Sequence, residues 1–151
     1  METQDLAAEE ALLSSVWLSA DADGFLDRIE SKDFTDPLLQ WLLLLLKLTA
    51  DAGDPLDMIA VLRRARKPEM LERLPRELQG DMAAHVARVL ERECTSAHTG
   101  YYFRVVRQAR LNRALVGLMA GIRERLNKRH EPAAIIEFIA LNTEKLRERL
   151  P

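Results

Sequence analysis

Two aspartate-proline steps flank the most apolar stretch of this chain and commit it to one helix with defined ends. Asp36 has the side-chain oxygen that an N-cap needs. Pro37 suits the first turn, where its missing N–H would go unpaired in any case. From Pro37 to about Ala52 the residues are apolar nearly all round, with Trp41 among them, and such a helix sits in the middle of a core. Gly53 stops it in the manner of a left-handed cap. Asp54-Pro55 then restarts the pattern toward Met58-Ile59-Ala60-Val61-Leu62 and on to about Arg66, with Asp57 in a first turn where its charge meets the helix dipole favourably.

The rest of the chain reads as helix too. Thr3 or Asp5 can cap a first helix whose Leu6, Leu12, Leu13, Val16 and Trp17 give one apolar face. Asp21-Ala22-Asp23-Gly24 breaks it, and a short helix through Phe25, Leu26 and Ile29 is expected next. Pro68 and Pro75 bracket a helical turn over Glu69 to Leu74. A helix from about Gly80 to Glu93 turns Met82, Val86, Val89 and Leu90 inward. Thr95 or Ser96 caps the region before the longest helix, Thr99 to Leu126, which at 1.5 Å per residue is about 40 Å long, so part of it should project from a small domain. Asn127 to Pro132 is a turn, with Pro132 at a first helical position, and a last helix runs from Ala133 to about Leu150. No strand-like alternation is present. Leu, Ala, Arg and Glu dominate the 151 residues, and these are helix formers. The predicted fold is all-α: a compact helical head over 1–98, followed by a long antiparallel helical hairpin over 99–151.

The hairpin arms carry more apolar surface than one seam consumes. Leu111, Leu115, Leu118 and Ile122 recur at steps of four, three and four residues, and Ile135, Ile139, Asn142 and Leu146 nearly repeat this, with Ile136, Phe138 and Leu141 on a flanking face. The surplus predicts burial against a second chain, with self-association carried by Leu111, Leu115, Leu118, Ile122, Ile135, Ile139 and Leu146. Gly117 and Gly121 form a G-x-x-x-G in a helix too charged for a bilayer, so these small residues let the second arm approach closely.

Catalytic chemistry has no foothold in the sequence. There is no G-x-x-x-x-G-K-[ST] phosphate loop, no H-E-x-x-H and no C-x-x-C, so no cofactor or metal is expected. His85, His98 and His130 are scattered, and Cys94 stands beside Glu93, which discourages a thiolate. Arg104, Arg107, Arg110 and Arg113 suggest a basic stripe, but steps of three residues spread them over about half the helix circumference. They read as solvated faces, with DNA contact weak at most, and the net charge of -2 agrees. Three consecutive aromatics, Tyr101-Tyr102-Phe103, point three ways and read as core rather than as a stacking platform. Leu38 to Leu48 contains Gln40 and Lys47 and is much shorter than the ~20 apolar residues of a membrane span. An acidic N-terminus and a lone cysteine fit a cytoplasmic setting.

Four motifs in order resemble the N-terminal domain of the DnaB-like replicative DNA helicase family. Ala8-Glu9-Glu10-Ala11-Leu12-Leu13 is similar to that family's first-helix pattern A-E-Q-A-[VL]-L. Asp33 and Phe34 match its D-F segment. Gly53-Asp54-Pro55-Leu56-Asp57-Met58-Ile59-Ala60-Val61 is similar to G-x-P-[IV]-D-x-x-T-V, with Ala60 in place of Thr. Ser96 to Arg107, which includes Tyr101 and Tyr102, is similar to S-A-A-N-x-x-Y-Y-A-x-I-V-R. The resemblance spans about Asp5 to Leu126 and implies structural roles for Asp33, Phe34, Gly53, Pro55, Asp57, Val61, Tyr101 and Tyr102. It also implies a helical head and hairpin, hairpins that pair between subunits, a homo-oligomer (a dimer or trimer of dimers), and a collar in the primosome where primase docks. The RecA-like motor of that family has no counterpart in these residues, so helicase activity does not carry over. The expectation is a non-catalytic replication module that binds itself and a helicase or primase. A primase-type helicase-binding domain and an unrelated helical interaction bundle stand as alternatives.

Overall fold

The computed structural model describes residues 4–93 and 95–150, so Thr3 and Cys94, both singled out from the sequence, lie outside the described residues. Among the described residues eight α-helices follow in order: α1 Leu6–Leu18, α2 Pro37–Asp51, α3 Met58–Ala65, α4 Pro68–Leu71, α5 Arg76–Gln79, α6 Met82–Leu90, α7 Thr99–Asn127 and α8 Pro132–Arg147, with a 3-10 turn at Ser31–Asp33. The architecture is all-α, with no strand among the described residues. Contacts divide the chain into two compact units. One is Asp5–Val106, and the other takes up the chain from Arg107 onward, so the division falls inside α7.

In the first unit, α2 is the central element. Asp36 accepts a hydrogen bond from the Leu38 N–H at 2.9 Å, and Pro37 occupies the first position. At the other end Gly53 has φ 75, its N–H donates to Ala50 O, and the Asp54 N–H donates back to Thr49 O. This is a Schellman motif, and it needs a residue at ease in the left-handed region. Between the caps Leu38, Leu39, Trp41, Leu42, Leu43, Leu45, Leu46 and Thr49 are buried. The Trp41 indole N–H donates to Met70 O at 2.8 Å, tying α2 to α4.

The helix α1 lies against α6. Asp5 caps it, accepting from the Ala8 N–H at 3.0 Å. Its buried set is wider than one face: Glu9, Ser14 and Ser15 join Ala8, Ala11, Leu12, Leu13 and Val16, whereas Leu6, expected inward, is exposed. The reason is polar. Ser14 Oγ donates to Leu90 O at 2.9 Å and accepts from the Glu93 N–H at 2.8 Å, closing the end of α6. Glu10 pairs with Arg88 at 3.0 Å and with Arg92 at 3.2 Å.

Other expectations are corrected. Phe25, Leu26 and Ile29 form a single turn, not a helix. Gly24 has φ 68, and Asp21 draws off the Leu26 N–H through its carboxylate at 3.0 Å; Leu26 and Ile29 still reach the core. The third helix begins at Met58, not Pro55, because Asp57 acts as N-cap, accepting from the Ala60 N–H at 2.8 Å. Four residues after Pro75 form α5, which the sequence did not announce, and the expected Gly80–Glu93 helix narrows to α6. In the 99–106 segment Tyr101 is exposed rather than core, while Phe103 packs edge-on to Phe25 at 5.6 Å and under the Arg28 guanidinium.

Candidate self-association surface

The second unit is a pair of antiparallel helices. At the tip, α7 ends in another Schellman closure. The Arg129 N–H donates to Leu126 O and the His130 N–H to Arg125 O, with Arg129 at φ 56. Pro132 then takes the first position of α8. Lys128 Nζ lies 2.7 Å from Glu124, and this bond holds the Glu124 carboxyl below the usual carboxylate range.

The two arms meet along the positions with heptad-like spacing. Ile135 is buried, and Leu111, Leu118, Ile122, Ile139 and Leu146 are half-buried. Asn142 caps its own helix turn, donating to Phe138 O at 2.8 Å. On one side of this seam Gly121 meets Phe138. A Cβ built on Gly121 would lie 3.0 Å from Phe138 Cζ, and the Arg125 guanidinium stacks 3.5 Å from the centroid of the same ring. Close approach therefore holds at Gly121 and not at Gly117, which faces open space.

A groove of about 280 Å³ is lined by Leu111, Leu115, Leu118, Leu146 and Leu150, together with Gln108, Thr143 and Arg147. Helical spacing places further apolar residues on this side. Leu115, Met119 and Leu126 run along α7, Ile136 marks the same side of α8, and Leu150 follows the end of α8 and lines the groove. Met119 is 66 % exposed, Ile136 67 % and Leu115 40 %. Four of the seven residues expected to carry self-association, Leu111, Leu115, Leu118 and Leu146, thus line one groove. Ile122, Ile135 and Ile139 lie within the seam. The most exposed apolar positions, Met119, Leu126 and Ile136, were not among the seven. Ile136 was read as part of a flanking face, while Met119 and Leu126 lie off the seam positions, and a pattern search for the seam skips them.

The family-motif residues sit in the first unit, where Asp33, Gly53 and Asp57 hold the backbone. Asp33 is buried and its Oδ2 accepts from the Glu30 N–H at 2.8 Å; Phe34 and Val61 are core residues. Gly53 and Asp57 are the caps described above, Pro55 is exposed in the intervening loop, and Tyr102 is half-buried beside Tyr101 and His98. Two of the motifs converge in space. Buried Glu9 accepts from the Thr35 N–H and, at 2.9 Å, from Thr35 Oγ1, which fastens α1 to the segment after Phe34. Along α7, Arg104 is exposed, while Arg107, Arg110 and Arg113 are half-buried and engaged in contacts rather than free in solvent.

Among the described residues no group of His, Cys, Asp or Glu is placed to hold a metal ion, and no helix is long and apolar enough to cross a membrane. No curated protein matches the chain. A solved structure, the N-terminal domain of DnaB helicase from Mycobacterium tuberculosis, shares the fold with a TM-score of 0.77 and 24% identity, covering 95% of this chain and 99% of that one. The family model for the DnaB-like helicase N terminal domain matches residues 1–108. With well over half its length matched, the chain belongs to the DnaB-like helicase N-terminal domain family.

Proposed function

We propose that this replication helicase-related domain is a non-catalytic assembly module. It pairs with a second copy of itself through the grooved face of its hairpin and presents its helical head to a replicative helicase or a primase. The observation that carries the reading is a set of exposed apolar side chains, Leu115, Met119, Leu126, Ile136 and Leu150, with Leu115 and Leu150 also lining a leucine-rich groove. Monomeric soluble proteins seldom leave such a contiguous patch open to water, and patches of this kind mark sites of association. Pairing of like face with like face gives a twofold dimer, the commonest closed arrangement.

Light scattering tests this. The purified chain is expected to run as a dimer or larger at micromolar concentration. Met119→Arg with Ile136→Arg should shift it to monomer with an unchanged far-UV circular dichroism spectrum, because both residues are surface-exposed and neither supports the seam. A wild-type chain that stays monomeric at high micromolar concentration removes the reading. So does a double variant that assembles like the wild type. No ATP turnover is expected from this chain alone, and robust hydrolysis by the purified protein would overturn the non-catalytic assignment.

A further inference from the structure

Four of the five residues from Arg63 to Lys67 are cations, and no acidic residue lies between Met58 and Pro68. A basic run of this density is suited to a polyanion. On α3, Ile59, Arg63 and Arg66 recur at steps of four and three residues and therefore lie along one line of the helix, with Lys67 beside it. Burial of Val61 and Ala65 on the opposite face turns this line outward. The Arg63, Arg66 and Lys67 side chains are exposed and have no hydrogen-bond or ion-pair partner among the described residues. The acids just before them are engaged: Asp54 pairs with Arg64 at 2.9 Å, and Asp57 caps the helix through the Ala60 N–H at 2.8 Å. Glu69 follows in the first turn of α4.

Two grooves share this line. One, of about 430 Å³, has Met58, Ile59 and Leu62 as its apolar lining and Arg63 and Arg66 as its charged lining. The other, of about 280 Å³, gathers Arg63, Arg64 and Lys67, and Ile59 and Arg63 line both. Ile59 is 75 % exposed, more than any other large apolar side chain in the first unit. The helix dipole favours cations in the last turn of α3. It accounts for Arg63 and Arg64 but not for an isoleucine left in water beside them. A nucleotide of a single strand has both halves that this surface accepts. Its phosphate suits the guanidiniums, and its flat base can lie on apolar side chains and on a guanidinium plane. A duplex keeps its base faces stacked inside and offers the phosphates alone. An acidic peptide brings one charge per residue only in a homopolymeric run, whereas every nucleotide brings one to cations set a helical turn or less apart.

We propose that the outward face of α3 binds single-stranded nucleic acid, with backbone phosphates on Arg63, Arg66 and Lys67 and an unpaired base over Met58, Ile59 and Leu62. Ile59 and Arg66 are seven residues, about 10 Å, apart, so the surface holds a short stretch of strand. Three cations neutralise about three phosphates, which sets a slope of about −2 for the logarithm of the association constant against the logarithm of salt concentration. The contact lies within one unit of one copy. It goes beyond the pairing reading and does not rest on it, so either can fail alone.

Fluorescence anisotropy of a labelled oligothymidylate tests it, with circular dichroism confirming that each variant is folded. Wild type should bind in the micromolar range at about 50 mM salt and about 20-fold more weakly at about 200 mM. Arg63→Glu with Arg66→Glu should weaken binding by about 10-fold or more, and Arg63→Gln with Arg66→Gln should reduce the salt slope by about 1.4. Ile59→Ala should weaken binding several-fold at an unchanged slope, because it removes the base contact and no charge. Arg104→Glu with Arg123→Glu, at two exposed positions of α7, makes the same change in net charge and should weaken binding far less than the α3 reversal. Five results would each overturn the proposal: no binding at about 50 mM salt with protein at high micromolar concentration, α3 variants that bind like the wild type, an α7 reversal as damaging as that on α3, a duplex of equal length bound as tightly, or polyglutamate that displaces the oligonucleotide as well as unlabelled oligothymidylate does at equal charge.

Discussion

Gly117 and Gly121 lie on one helix, one turn apart, and replacing each with alanine makes a controlled comparison. In an exposed helix interior, glycine to alanine is worth about 0.8–1 kcal/mol in favour of the folded state, because alanine sacrifices less backbone freedom. At Gly117 nothing lies within 4 Å of the added Cβ, so the full gain is expected. At Gly121 the same atom arrives 3.0 Å from Phe138 Cζ and 3.2 Å from Cε1, and the ring is backed by the Arg125 guanidinium at 3.5 Å. Forcing a methyl into a filled contact costs roughly 1–3 kcal/mol, which cancels or exceeds the helix gain. Gly121→Ala should therefore fall about 1–3 kcal/mol below Gly117→Ala. Urea denaturation followed by circular dichroism, on dimer and monomerised backgrounds alike, measures the gap. Phe138→Leu supplies the internal check: with the ring removed, Gly121→Ala should become stabilising, as a double-mutant cycle would show. Equal shifts for the two alanine variants, or a gap that persists without the ring, would refute the argument that Phe138 is what Gly121 accommodates.

Two further outcomes follow from the caps. Ala20 occupies the left-handed position after α1 at φ 48, with its N–H donating to Trp17 O and the Asp21 N–H to Val16 O; Ala20→Gly should stabilise the protein by about 0.5–1 kcal/mol, measured as a raised urea midpoint. Ser14→Ala leaves Leu90 O and the Glu93 N–H without their shared hydroxyl. It should destabilise by about 1–3 kcal/mol, read from the same denaturation curve.

What the sequence disclosed and what it hid follow the range of the interactions. The ends of α2 were legible because Asp36, Pro37 and Gly53 act on backbone groups within a few residues of themselves. The inward residues of α6 were legible because the 3.6-residue period is local as well. The burial of Glu9 was not, since its partner Thr35 is 26 residues away and no spacing rule links them. The turn at Phe25 to Ile29 was read as helix because its two core residues are three apart, a spacing that a single turn satisfies equally well. In the hairpin the seam was foreseen and Ile136 was placed on a flanking face, but Met119 was overlooked because it breaks the seam's rhythm.

The depth at which α2 is packed governs how this domain is free to vary. Eight of its fifteen residues are buried, and its indole is anchored to another helix, so replacements there are restricted to near-equal volumes with intact shape. Divergence among relatives should therefore concentrate on outward helix faces, where a change of side chain leaves the scaffold undisturbed.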